Sequence, residues 1–216
     1  MQNLSQNLAD FEAQLAEICE NCNRNRNEIT LVGVIKNHTA DEANQLLQAG
    51  LRVIGENRIQ EALGKFPELL PCEKHLIGHL QTNKVKEAVM NFDCIESVDS
   101  LRLAEKLNAE AKSQGKILPI FIEVNIAGET QKFGFQAAEL EEAIGKIRVM
   151  KNLKLEGLMV MGVEGDEKKT EEVFQQGWQL CEKFGMQKYS AGMSGDFEIA
   201  VRNHSTHLRV GSLLFR

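Results

Sequence analysis

The chain has 216 residues, with 25 Lys+Arg against 31 Asp+Glu and a formal net charge of −6. Hydrophobic residues make up 43% and charged residues 26%, a globular mixture that excludes disordered, collagen-like and low-complexity readings. The acidic balance argues against nucleic acid as a partner, because neutralising phosphates takes clustered Lys and Arg. A small local anion site stays open.

The N-terminal segment carries Asp10, Glu12, Glu17 and Glu20 and lacks the apolar run of a signal peptide. The longest mostly apolar tract, Ile117 to Val124, contains Pro119 and Glu123 and is too short to span a bilayer. The expectation is a cytoplasmic protein with no membrane partner. Cys19, Cys22, Cys72, Cys94 and Cys181 read as free thiols, as befits a reducing compartment.

Leu4, Leu8, Phe11, Leu15, Ile18 and Cys22 recur at steps of three and four, one face of an amphipathic helix over residues 1–22. It is expected to pack on the main domain. Thr30 to Ile35 then reads as a buried strand, Ala40 to Ala49 as a helix, and Arg52 to Gly55 as a second strand. Arg58 to Lys65 is a helix, His75 to His79 a third strand, and Lys84 to Met90 a helix. Cys94 to Val98 is a fourth strand, and Ser100 caps a helix reaching Ser113. Leu118 to Ile126, Leu155 to Met161, Tyr189 to Met193 and His207 to Leu214 complete the strands. Between them lie helices over Ala137 to Val149, Glu167 to Phe184 and Phe197 to His204.

Eight strand–helix alternations imply a parallel sheet with helical crossovers. A doubly wound sheet usually holds fewer strands in this length, so a closed (βα)8 barrel near its minimum size is preferred. No linker divides the chain, and residues 1–216 are expected to form one domain, with the first helix as an extra element.

Common catalytic signatures are missing. There is no G-x-G-x-x-G and no P-loop. Gly192-Met-Ser194-Gly195-Asp196 has Asp196 where a nucleophile elbow needs its second glycine. His75 and His79 lack a third ligand at useful spacing, so no metal site is expected.

On a barrel, ligand chemistry sits at the C-terminal ends of the strands. That frame puts Lys36 after strand one, Glu56 and Asn57 after strand two, and His79 at the end of strand three. Asn125 and Met161 close strands five and six. Ser194 and Gly195 follow strand seven and open a short helix, whose free N–H groups attract an anion. Arg209, Gly211 and Ser212 lie on or after strand eight. Loops after strands seven and eight form the usual barrel phosphate cup. A lysine on the same rim adds an amine, and an amine with a phosphate cup suits pyridoxal 5′-phosphate. Arg209 would then face the pyridine nitrogen and weaken the ring as an electron sink.

The ordered motifs Val34-Ile-Lys36, Gly55-Glu56-Asn57, His75-Leu-Ile-Gly-His79, Ser97-Val-Asp99-Ser100, Gly157-Leu-Met159, Gly192-Met-Ser194-Gly195-Asp196 and Arg209-Val-Gly211-Ser212 resemble the pyridoxal phosphate homeostasis protein family. That family is also described as alanine racemase N-terminal-domain-like. The resemblance implies a single-domain barrel of the alanine racemase N-terminal type. It implies Lys36 as the Schiff-base lysine, phosphate contacts from Ser194, Gly195, Gly211 and Ser212, and Arg209 at the pyridine nitrogen. Asn57, His79 and Met161 would lie near the cofactor. Departures from the family pattern are Ile35, Asn37 and His38 around the lysine, a strand-six loop without proline, and a short tail after Ser212.

The resemblance implies a cofactor carrier acting in pyridoxal phosphate homeostasis, with no catalytic residues. Pyridoxal-phosphate-dependent apoenzymes are its implied acceptors. A monomer is expected, because the barrel needs no partner for its core. The alternative is an amino-acid racemase of fold-type III. Such enzymes take a catalytic tyrosine from a further C-terminal domain, and Tyr189 here lies at the wrong end of strand seven. His79 and Cys94 stand as substitute bases. A phosphosugar-binding barrel enzyme is a third reading, and it predicts a colourless protein.

Overall fold

A computed structural model describes residues 3–129 and 133–216; Met1 and Gln2 of the N-terminal segment lie outside them. Helix α1 spans Leu4–Asn21, and Asn3 caps it by accepting the Gln6 N–H at 3.2 Å. Strand β1 (Thr30–Val34) leads to α2 (Ala40–Gln48), and β2 (Val53–Glu56) to α3 (Ile59–Lys65). Strand β3 (Glu73–Leu76) precedes α4 (Val85–Asn91), and β4 (Cys94–Val98) precedes α5 (Leu101–Ser113). Strand β5 (Leu118–Val124), α6 (Leu140–Arg148), β6 (Leu153–Val160) and α7 (Glu167–Lys183) follow. Strand β7 (Lys188–Met193), α8 (Phe197–Arg202) and β8 (His207–Val210) complete the order.

The eight strands close into a parallel barrel, with β8 paired to β1 through Thr30–His207 and Val32–Arg209. The barrel reading of the sequence therefore holds. Alternate strand residues face outward. Ile95, Ile120, Leu158, Leu208 and Val210 join one apolar core with the inner sides of the helices. The inward residues are different in kind. Register aligns Glu123, Met159, Ser190 and His207 on one face, and Gly55, His75 and Cys94 on its continuation.

Among the described residues α1 fills the place of a crossover helix after β8. It packs between α2 and α8, with Phe11 against Phe197 at 5.0 Å between ring centroids. Asn7 Nδ2 donates to the carbonyls of Leu214 and Arg216. Leu4, Leu8, Phe11, Leu15 and Cys19 are its buried stripe. The stripe ends on Cys19 rather than Cys22, because 3.6-residue periodicity drifts from a strict heptad.

Strands β1, β5 and β6 end one or two residues before the sequence pattern does, and β3 and β8 stop three or four residues short of it. Strand β3 ends at Leu76, because Gly78 is pressed against the backbone of Asn57 and its carbonyl takes the Ser97 hydroxyl at 2.6 Å. His79 therefore stands in a loop beyond the strand, not on its end. Strand β8 ends at Val210, where Leu214 N–H donates to Gly211 O and closes a turn.

Candidate functional site

The C-terminal rim is assembled from three abutting loops. Ile35, fully buried, still donates its N–H to Gly55 O, so Lys36 is the first residue beyond the ladder. Asn37 takes the left-handed conformation (φ 63°), which asparagine tolerates better than most residues. Thr39 and Glu42 then form a capping box that starts α2. Lys36 is thrown into solvent, with no hydrogen bond or ion pair among the described residues.

The loops after β7 and β8 touch both each other and this turn. A side chain at Gly211 would bring its Cβ within 3.2 Å of Val34 O, so the post-β8 backbone lies close against the end of β1. Gly211 N–H donates to Ser194 Oγ at 3.2 Å. Ser212 and Gly195 are exposed beside this link, and nothing approaches the place a Gly195 Cβ would occupy.

One sequence expectation needs correction here. Ser194 and Gly195 do not open α8. They sit in a turn closed by Asp196 N–H to Met193 O, and Asp196 is the residue before the helix. Its carboxylate accepts the Met193 N–H, so a negative charge already stands at that helix end. An anion at this rim would meet the turn amides and the serine hydroxyls, not the helix terminus. Burial, opposed by that hydrogen bond, moves the Asp196 carboxyl above its ordinary range.

Asn57 borders a recess of about 190 Å³ with Lys36, Asn37, Arg58 and Glu61. Its Oδ1 is buried with no hydrogen-bond donor among the described residues, a polar atom that calls for an explanation. Glu56 turns away from the recess and pairs with Lys65 at 2.5 Å. His79 is held by Asp99 (Nδ1 to Oδ2, 2.9 Å) and stacked on Phe133 at 3.7 Å. Met161 packs on Cys94, Phe121 and Met159. A cavity of about 580 Å³ between the β6 and β7 loops is bounded by Met161 and Gly195 but also by Glu164, Asp166, Glu167 and Asp196. Four carboxylates make it a poor phosphate seat.

Arg209 lies deeper than the rim residues. It is buried, its Nη1 donates to Ser190 Oγ and its Nη2 to Val160 O. Sequence reasoning missed the groups around it: Glu96, Ser190, His75 and Glu123. The available signal was an acidic residue inside an apolar strand, as in Cys94-Ile-Glu96 and Phe121-Ile-Glu123. Glu123 is pushed up to about 7 by burial and the nearby Asp99, against the pull of Arg209.

The departures around Lys36 have local explanations. His38 stacks on Phe215 at 3.6 Å, so the altered turn and the short tail cover each other. Gly162, where the strand-six loop has no proline, has Asp196 and Thr170 atoms within 2.8 Å of any Cβ.

Residues 7–216 match the family model described as alanine racemase, N-terminal domain. The pyridoxal phosphate homeostasis protein of Escherichia coli is 33% identical, covering 100% of this chain and 97% of that protein. The chain belongs to the pyridoxal phosphate homeostasis protein family. PipY of Synechococcus elongatus superposes with a TM-score of 0.91 without PLP (32% identity) and 0.86 with PLP bound (31%). Each comparison covers 99% of this chain and 100% of PipY. An alanine racemase of Clostridium difficile shares the fold alone, at 18% identity and a TM-score of 0.74, and this chain covers 56% of it.

Two groups that a racemase reading would need lie elsewhere. Tyr189 is in the outer layer, its hydroxyl donating to Phe174 O on α7 and its ring against Gly177. Cys94 begins β4, at the end of the strand away from the rim, and burial pushes its thiol well up. No helix among the described residues is long and apolar enough to cross a membrane.

Proposed function

We propose that this protein binds pyridoxal 5′-phosphate at its rim and serves in homeostasis of that cofactor as a carrier. The observation that carries this reading is Lys36: an exposed amine, unpaired among the described residues, where β1 leaves the sheet beside the Ser194–Gly211 link. The orphan acceptor of Asn57 in the same recess fits a polar ligand there. The bound cofactor in PipY and the names of the relatives support it.

In this reading Lys36 presents its amine to the cofactor's aldehyde. Ser194, Gly195, Gly211 and Ser212 take its phosphate with amides and hydroxyls. Arg209 holds a fixed positive charge below, and Asn57, His79 and Met161 border the ring. The cofactor itself supplies an electrophilic aldehyde on an electron-withdrawing ring. The whole chain acts as one binding domain, a cytoplasmic monomer, and hands the cofactor to acceptor apoenzymes.

The carrier reading is favoured over turnover because general acid–base work needs a group within reach of the proton. Tyr189 and Cys94 are both out of reach. A second reading, weak racemase activity, is favoured by one observation: the His79–Asp99 pair on the rim. Two measurements decide. Adding the cofactor to apoprotein should produce a yellow, Lys36-dependent absorbance; a colourless protein contradicts the site. Incubation of the yellow protein with L-alanine should leave its optical rotation unchanged, and rapid loss of rotation contradicts the carrier reading.

A further inference from the structure

The barrel interior holds a continuous polar chain running under the rim. Glu73 Oε1 meets His75 Nε2 at 3.0 Å, and His75 Nδ1 meets Glu96 Oε1 at 2.5 Å. Ser190 Oγ donates to Glu96 Oε2, and Arg209 Nη1 donates to Ser190 Oγ, each at 2.5 Å. Arg209 Nη2 closes the chain on Val160 O at 3.0 Å, and Nη1 lies 4.0 Å from Glu96 Oε2. Strands β3, β4, β6, β7 and β8 each contribute. His75, Glu96, Ser190 and Arg209 are all at most 4% exposed.

The charges along the chain are settled. Burial opposes protonation of His75, yet its hydrogen bonds to Glu73 and Glu96 outweigh burial and push it up to about 9. Burial likewise opposes the Glu96 charge, and His75 and Arg209 bring it down to about 2. A cationic imidazole, a carboxylate and a guanidinium therefore share a dry interior. Apolar residues of similar volume would often be as stable there. The outer layer shows that these same strands carry apolar side chains without difficulty. Stability alone gives no account of the ions.

Direction does. Nη1 and Nη2 are both engaged, and these two bonds fix the plane of the Arg209 guanidinium. Its Nε–H makes no hydrogen bond among the described residues. Val160 precedes Met161 on the rim, and Arg209 precedes Gly211 by two residues. The fixed guanidinium thus sits beneath the loops that line the site.

We propose that Glu96, locked by His75 and acting through Ser190, is the positioning residue for Arg209 toward the rim ligand. This rests on the cofactor reading above. The charged and titratable groups around the chain are Glu73 on β3, Cys94 on β4, Glu123 on β5, Glu156 on β6, Lys188 and Tyr189 on β7, His207 on β8 and Asp196 after β7. The test compares the wild-type holoprotein with Glu96→Gln and Ser190→Ala, by cofactor dissociation constant and by the pH profile of visible absorbance. Far-UV circular dichroism checks the fold. Glu96→Gln should stay folded and keep the linkage at Lys36. It should bind the cofactor roughly 10- to 100-fold more weakly, by analogy with the loss seen when the partners behind metal ligands are removed, with a displaced pH profile. A smaller loss in the same direction is expected for Ser190→Ala, which carries the test if Glu96→Gln fails to fold. Folded variants with wild-type affinity and pH profile overturn the positioning role alone. Wild-type protein that takes up no cofactor at Lys36 overturns the site reading together with it.

Discussion

The outer layer and the interior of this barrel are made by the same eight strands and have opposite chemistry. Outward residues such as Ile54, Ile95, Leu158 and Leu208 are packed under helices in one apolar core. Inward residues include His75, Glu96, Glu123, Ser190, His207 and Arg209, alongside the apolar cluster of Cys94, Phe121 and Met159 and the valines Val32 and Val53 that align with Arg209. The period of two along a strand lets one sequence serve both. Burial in the outer layer holds the ring of helices on the barrel. The interior holds charge in fixed directions, and the rim turns that charge toward solvent.

The comparison breaks most visibly in the outer layer. Phe174→Ala should cost about 3–5 kcal/mol in urea unfolding, as large-to-small changes at sealed aromatic positions do. The surviving folded protein should take up cofactor normally. A cost under about 1 kcal/mol would contradict a tightly packed outer layer.

Two pH effects sharpen the interior side. His75 is held near 9 in the folded protein, above its unfolded value of about 6.5. Its contribution is fully present below the unfolded value and is lost as pH rises through 9. Unfolding free energy should therefore fall by about 1–3 kcal/mol between pH 6.5 and pH 9, and His75→Gln should flatten that fall. A wild-type curve level over this range would contradict the assignment. Glu123, pushed up to about 7, binds a proton in the folded state that the unfolded chain has already released. Stability should fall as pH climbs from about 4.5 to 7. Glu123→Gln should thus gain about 1–2 kcal/mol at pH 8 and nothing at pH 4. Equal stability of the two proteins at pH 8 would show that Glu123 is not desolvated.

The smallest effect belongs to the seam between α1 and the tail. Asn7→Ala removes the bonds to Leu214 O and Arg216 O and should cost about 0.5–1.5 kcal/mol, seen as a lowered Tm. An unchanged Tm would show that these bonds do not hold the tail.

The barrel was legible because local signals agree with the fold: β-branched runs for strands, Ser100 as a cap, and glycine at turns. The rim position of Lys36, Ser194, Gly211 and Asn57 was legible because a barrel puts the residues after its strands on one rim. What escaped was set by distant neighbours. The end of β3 depends on Ser97 and Asn57 crowding Gly78. The turn before α8 depends on Asp196 bonding back to Met193. The His75–Glu96–Ser190–Arg209 chain joins strands far apart in sequence, and one-dimensional spacing does not show it. That α1 occupies the place of a crossover helix after β8 follows from Phe11 meeting Phe197 on α8, again a long-range contact.

The central claim is that Lys36 is the attachment point for pyridoxal 5′-phosphate. Reduction of the yellow protein with borohydride, followed by proteolysis and mass spectrometry, tests it most directly. The label should lie on the peptide bearing Lys36, with none left in Lys36→Ala. A label on any other lysine, or an unlabelled wild-type protein, would contradict the account.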